Sequence, residues 1–174
     1  MRTLSLLAFS VLPLLLVAQK PFPSLTGETA SGTTITLPKA TGKPWKVVGI
    51  AYSQKASSTL EDWYEPAYLR FVAKHGLFAS AYDAEVYFIP LFVGVNKAAY
   101  EPSMKKFRKS AEPAIVEHVL FSKEEIDPLK AALDLTDKDI PYFFVLDAEG
   151  NIVHREEGTF SDAKLEALEE AMLQ

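Results

Sequence analysis

A chain of 174 residues with 48% hydrophobic and 24% charged residues has the size and balance of one globular domain. Its formal net charge of −5 excludes the long-range positive field that gathers nucleic acid. The cysteine count is zero, which excludes a disulfide framework, a thiol nucleophile, a thiolate zinc site, a lipid-anchored cysteine and dithiol exchange within this polypeptide.

Residues 1–18 read as a secretory signal peptide: Arg2, the apolar run LLAFSVLPLLLV, then Ala18 before a polar, proline-rich stretch. The run is shorter than the roughly 20 residues of a membrane-spanning helix, so cleavage after Ala18 is favoured over a retained anchor. Residues 19–174 are then the mature domain, with no membrane span left, in the bacterial periplasm or secreted.

Lys20–Pro23 is extended because its prolines bar helix. Ser24–Leu37, with turn residues around Gly27 and Gly32 and the β-branched run Thr33–Thr36, predicts a short hairpin. Trp45–Tyr52 is almost wholly apolar after Lys46, as expected of a central strand buried on both faces. A polar loop, Ala56-Ser57-Ser58-Thr59, leads into a helix whose apolar stripe runs through Leu60, Trp63, Tyr64, Ala67, Tyr68 and Phe71 to His75. Pro66 should bend that helix and Gly76 should stop it.

Ala84–Val93 predicts a second buried strand, with Pro90 at its end or at an irregularity. Asn96 is a candidate N-cap for a helix carrying Tyr100, Met104 and Phe107. The basic run Lys105-Lys106-Phe107-Arg108-Lys109 on that helix is favoured as a solvated face, with an anionic partner surface as the other reading. Ile115–Phe121 reads as a strand. Ser122 with Glu125 has capping-box spacing, and Asp127-Pro128 offers a second helix start. Tyr142–Leu146, the turn Asp147–Gly150 and Asn151–Arg155 predict an antiparallel hairpin, covered by a helix over Ser161–Leu173. The fold class expected is α/β, a mixed sheet with helices on both faces and a β-hairpin extension before it.

This order of elements resembles the thioredoxin superfamily over nearly the whole mature chain, and the stretch IPYFFVLDAEGNIVHREEG is similar to that superfamily's cis-proline strand, its turn and the glycine before the last helix. The resemblance implies a cis peptide bond before Pro141. It also implies that Ile140 and Pro141 face Ala56–Thr59, where other members carry a Cys-x-x-Cys loop. Within the superfamily, FPSLTGETASGTTITLP, EDWYEPAY and FFVLDAEGNIVHREEG are similar to the mitochondrial ATP synthase assembly-factor branch, whose members commonly lack the dithiol. The bacterial-style leader departs from that branch.

The candidate binding site is therefore Ala56, Ser57, Ser58 and Thr59 with Trp63, Ile140 and Pro141, a groove for an extended polypeptide from a protein partner in the cell envelope. Trp63, Tyr64 and Tyr68 fit a helix core better than a groove wall. A helix cap is the favoured role of Ser57 or Ser58. The other role is that of a hydrolase nucleophile, which needs a positioned base, and His75, His118 and His154 lie in no recognisable motif. No metal or cofactor motif is present. The sequence favours a redox-inactive binding, chaperone or assembly module over an enzyme.

Overall fold

The computed structural model describes residues 20–39, 42–78 and 80–173; the expected signal peptide lies outside them. Lys20–Pro21 (β1) is a two-residue strand. Leu25–Glu28 (β2) and Thr34–Leu37 (β3) form the expected hairpin, in register from Leu25 opposite Leu37 to Glu28 opposite Thr34. Its turn is closed by the Thr29 N–H on the Thr33 carbonyl (2.9 Å), with Gly32 at φ +95°, where a side chain would be strained.

Trp45–Ala51 (β4) lies between two neighbours, parallel to Ala84–Pro90 (β5) and antiparallel to Tyr142–Leu146 (β6). Asn151–Glu157 (β7) pairs with β6, and the five-stranded order is β1-β7-β6-β4-β5. Alternation along β4 divides the core. Val47 and Ala51 face one layer, and Val48, Ile50 and Tyr52 face the other. Lys46, on the same strand, is 1% exposed, and burial lowers the pKa of its amine.

The first layer is built by Gln54–Glu61 (α1), Tyr64–Ala67 (α2), Tyr100–Ser110 (α3) and Asp162–Glu170 (α6), which contribute Leu60, Ala67, Tyr100, Met104, Leu165 and Leu168. Ile126–Leu133 (α5) and the hairpin cover the other layer through Leu129, Leu133, Leu25 and Leu37. Helices do flank both faces, as expected.

The single long helix expected after β4 is broken by Pro66. Lacking an N–H, Pro66 cannot donate to the carbonyl four residues back, and the chain passes through a turn at Asp62-Trp63 before α2. Beyond α2, Tyr68–Val72 is a π turn closed by the Ala73 N–H on the Tyr68 carbonyl (2.9 Å). Lys74 at φ +59° ends it, two residues before the expected stop at Gly76.

Three further expectations are corrected. Asn96 lies within the 3-10 turn Gly94–Ala99 and does not cap α3, whose N-cap is Ala99. Pro113–Val116 is a short helix (α4) with proline in its first turn, so Ile115 and Val116 are not in a strand. Val119 does bridge to Phe88 of β5, and Ser122 to Leu91 just beyond it, both in parallel, through the Leu120 N–H on the Phe88 carbonyl (2.8 Å) and the Phe92 N–H on the Ser122 carbonyl (2.8 Å). The ladder is interrupted between these bonds because Pro90 of β5 has no N–H to give. Finally, α5 starts after Glu125, and the Ser122 hydroxyl instead donates to the Thr26 carbonyl (2.7 Å).

Gly49 is the point of closest approach in the sheet. A Cβ there would stand 2.6 Å from Phe143 Cε1 and 3.0 Å from Leu60 Cδ1. Gly49→Ala is expected to lower unfolding free energy by about 1–3 kcal/mol, the usual cost of overpacking, read as a drop in urea midpoint at unchanged slope. An unchanged midpoint would show that Phe143 can move aside.

Candidate functional site

The connection from β4 to α1 is shorter than the sequence suggests. Only Tyr52 and Ser53 separate Ala51 from Gln54, because Ser53 adopts extended backbone and its hydroxyl oxygen accepts the Ala56 N–H at 3.0 Å, capping α1. Neither Ser57 nor Ser58 is the cap. All four residues expected to form the loop, Ala56, Ser57, Ser58 and Thr59, are inside α1. Ala56 is fully buried, Ser57 and Thr59 are half-buried, and Ser58 is exposed. Thr59 turns its hydroxyl back to the Lys55 carbonyl (3.3 Å). The strand-to-helix junction is thus Tyr52–Ala56, three residues earlier than expected.

Sequence reasoning favoured Ser57 or Ser58 over Ser53 as the cap, although a signal for Ser53 was present: a small hydroxyl residue directly after an apolar strand is a preferred N-cap. Tyr52 was read only as the end of the strand. Its ring is buried, and its hydroxyl donates to the Leu135 carbonyl at 3.2 Å. Burial, then the neighbouring Tyr142, Asp137 and Asp139, push the Tyr52 phenol up to about 12.

The segment before β6 is brought to this junction. Tyr142 pairs with Ile50, so Pro141 and Ile140 lie at the end of the sheet where β4 gives way to α1. Lys55, in the first turn of α1, pairs with Asp139 at 3.6 Å across this gap, both side chains being substantially exposed. The Tyr142 hydroxyl closes the preceding turn, accepting the Asp137 N–H (2.6 Å) and lying 3.0 Å from the Asp137 carbonyl. Ile140 is half-buried and Pro141 is buried.

The peptide bond before Pro141 is trans, against expectation; the cis bond among the described residues precedes Pro38. Pro141 is already in register with β7, since its carbonyl accepts the Gly158 N–H at 2.8 Å. With the turn closed by Tyr142, the chain enters β6 extended and needs no reversal at the proline.

Trp63 belongs to the core and lines no groove. It is fully buried, its ring centroid is 4.0 Å from that of Phe143, and its indole N–H donates to the Gly158 carbonyl at 3.1 Å. Tyr64 and Tyr68 pack against the same core from its edge. No hydrogen bond joins Ser57 or Ser58 to a histidine among the described residues. His118 Nδ1 meets the Val86 carbonyl (2.9 Å) and Glu85 (3.2 Å), His154 lies 3.6 Å from Glu156, and His75 is exposed. The hydroxyls of α1 therefore have no base beside them. Among the described residues no group of three or more His, Asp or Glu side chains is placed to hold a metal, and no helix is long and apolar enough to cross a membrane.

No family model and no curated protein matches the chain. Solved structures do match. A candidate thiol:disulfide interchange protein DsbE from Chlorobium tepidum superposes with a TM-score of 0.57 at 18% identity, over 89% of this chain and 94% of that one. BsSco, a member of the Sco family of cytochrome c oxidase assembly proteins, gives 0.56 at 11% identity over 89% and 95%. The exposed lipoprotein thioredoxin of Streptococcus pneumoniae gives 0.55 at 19% identity over 85% and 99%. Likeness at these identities establishes the fold, which is thioredoxin-like and here carries no cysteine.

Two outcomes follow from the junction. Cysteines at an N-cap and the third helical residue are close enough to bridge, whereas Cβ atoms three apart within a helix are about 5–6 Å apart. Ser53→Cys with Ala56→Cys should oxidise to an intrachain disulfide, and Ala56→Cys with Thr59→Cys should not, as read by thiol alkylation and mass spectrometry. The Tyr52 phenol holds its proton in the folded state beyond the pH near 10 at which an unfolded tyrosine loses it. Stability from this group is complete below pH 10 and declines as pH rises towards 12, and Tyr52→Phe should flatten that decline in urea titrations.

Proposed function

We propose that this chain is an exported, redox-inactive thioredoxin-like domain that binds an extended polypeptide, as a chaperone or assembly module for a protein of the cell envelope. The observation that carries the reading is the β4–α1 junction of a dithiol fold in a chain without cysteine. Ser53 and Ala56 occupy the cap and the buried third helical position, and the Asp139–Pro141 segment lies beside them, with Asp139 3.6 Å from Lys55. Thiolate chemistry is unavailable to hydroxyl and methyl side chains, so what such a junction can still offer is shape and hydrogen bonding.

The assembly side of the reading is supported by BsSco, whose description as an assembly protein shows that the same fold serves that purpose elsewhere. It is also supported by the sequence likeness to the ATP synthase assembly-factor branch. Export is supported by the character of residues 1–18 and by the exposed lipoprotein among the structural neighbours. Of the residues expected to form the groove, Ser57, Ser58, Thr59 and Ile140 are exposed or half-buried; Ala56, Trp63 and Pro141 are buried and act by positioning them.

The test is binding of residues 19–174 to an array of unfolded envelope polypeptides, compared with Ser57→Trp and Ile140→Arg variants. Bulk at either position should weaken binding at least tenfold without changing the urea midpoint. Unchanged binding by both variants would reject the site, and reduction of a disulfide substrate by the wild-type chain would reject the redox-inactive role.

A further inference from the structure

The basic run of α3 gathers cations on one helix, whereas the other exposed lysines without a carboxylate partner among the described residues, Lys39, Lys123, Lys130 and Lys138, are scattered along the sequence. Lys20, Lys43, Lys55, Lys74, Lys97 and Arg155 each pair with a carboxylate. Among the described residues Lys105, Lys106 and Lys109 have no such partner, and all three are exposed. Glu101 stands one helical turn before Lys105, and Glu61 of α1 feels Lys106 through space; neither forms an ion pair with them. A formal charge of −5 for the chain and +4 for Lys105–Lys109 leaves −9 on the remaining residues.

The helix holds this charge rigidly. At about 100° per residue Lys105, Lys106 and Lys109 fall within roughly a third of a turn, opposite Tyr100, Met104 and Phe107, which face the core. Arg108 is tied down by donating through Nε to the Ala30 carbonyl. Phe107 packs edge-on to Phe121 (5.4 Å). Favourable interaction with the helix dipole accounts for Arg108 and Lys109 in the last turn but not for the pair one turn earlier.

We infer that this face of α3 docks an acidic polypeptide segment in extended conformation. Lys105 and Lys109 are one helical turn, about 6 Å, apart along the axis, close to the roughly 6.6–6.8 Å between alternate residues of an extended chain. Carboxylates at alternate positions therefore meet successive lysines, with Lys106 beside them. An anionic membrane is the poorer match. Three lysines supply only about 1 kcal/mol each near such a surface, and the −9 elsewhere repels it. The inference is independent of the β4–α1 junction, since none of its residues belongs there.

The experiment titrates the chain with the labelled peptides Glu-Ala-Glu-Ala-Glu-Ala and Glu-Glu-Glu-Ala-Ala-Ala at 20 mM and 300 mM salt. Alongside it run the triple variants Lys105/Lys106/Lys109→Gln and →Arg and vesicles of phosphatidylglycerol. The alternating peptide should bind more tightly than the blocked one, lose at least tenfold at high salt, lose at least tenfold with the Gln variant and be retained by the Arg variant. Gln in place of Lys keeps the exposed helix surface polar, and circular dichroism checks that the fold persists. No binding at 20 mM salt, equal binding by the Gln variant, equal affinity for the two peptides, or binding to vesicles but not to the peptide would each overturn the proposal.

Discussion

The contact on which the rest of this structure depends is the Trp63–Phe143 ring pair over Gly49. The two rings are 4.0 Å apart, and Phe143 occupies the space that a side chain on Gly49 would need. Fully buried aromatic pairs of this kind contribute about 0.5–1.5 kcal/mol beyond their area. This one also fixes geometry. Trp63 sits in the break before Pro66, so the direction of the chain from α1 into α2 is set by the indole docking on β6. Its N–H reaches the Gly158 carbonyl, which ties the same ring to the end of β7.

From that contact the candidate site follows. With β4 held between β5 and β6, the end of β4, the beginning of β6 and the first turn of α1 converge at one end of the sheet. Ser53 closes the helix, Tyr142 closes the facing turn, and Lys55 and Asp139 span the gap. An exposed pair such as this adds little stability, typically under 1 kcal/mol, and its effect is to set the charge character of the rim. The buried amine of Lys46 shows the opposite situation at the far end of the same strand. It keeps a contact to the Lys43 carbonyl at 3.3 Å and lies in a sheet position that an apolar side chain would fill at lower desolvation cost.

Much of the architecture was legible because each signal was local. The β-branched run Thr33–Thr36, the apolar run of β4, the Asp147–Gly150 turn and the helix start at Ser161 each need only neighbouring residues to act. Pro66 was legible for the same reason, since a missing N–H beyond the first turn disrupts a helix. The misreadings arose where a distant group decided the outcome or where one local signal was passed over for another. Ile115–Phe121 has strand-like side chains, but whether it pairs depends on the donors of β5, and Pro90 removes one of them. Ala56–Thr59 looks like a polar loop, yet Ser53 caps the chain three residues earlier and draws those hydroxyls into a helix.

The amino-acid sequence alone determined the class of fold, the position of its central strand, the proline disturbance in the helix beyond it and the impossibility of dithiol exchange, because composition and short-range periodicity carry that information. Only the tertiary structure decided that the bond before Pro141 is trans, that Trp63 belongs to the core and that Ser53, with Lys55 and Asp139, frames the junction. The place of Trp63 and the facing of Lys55 and Asp139 turn on contacts between residues far apart in the chain, Trp63 with Phe143 and Gly158 and Lys55 with Asp139, and no local pattern encodes them. The Ser53 cap itself is local, and only the tertiary structure sets what it faces.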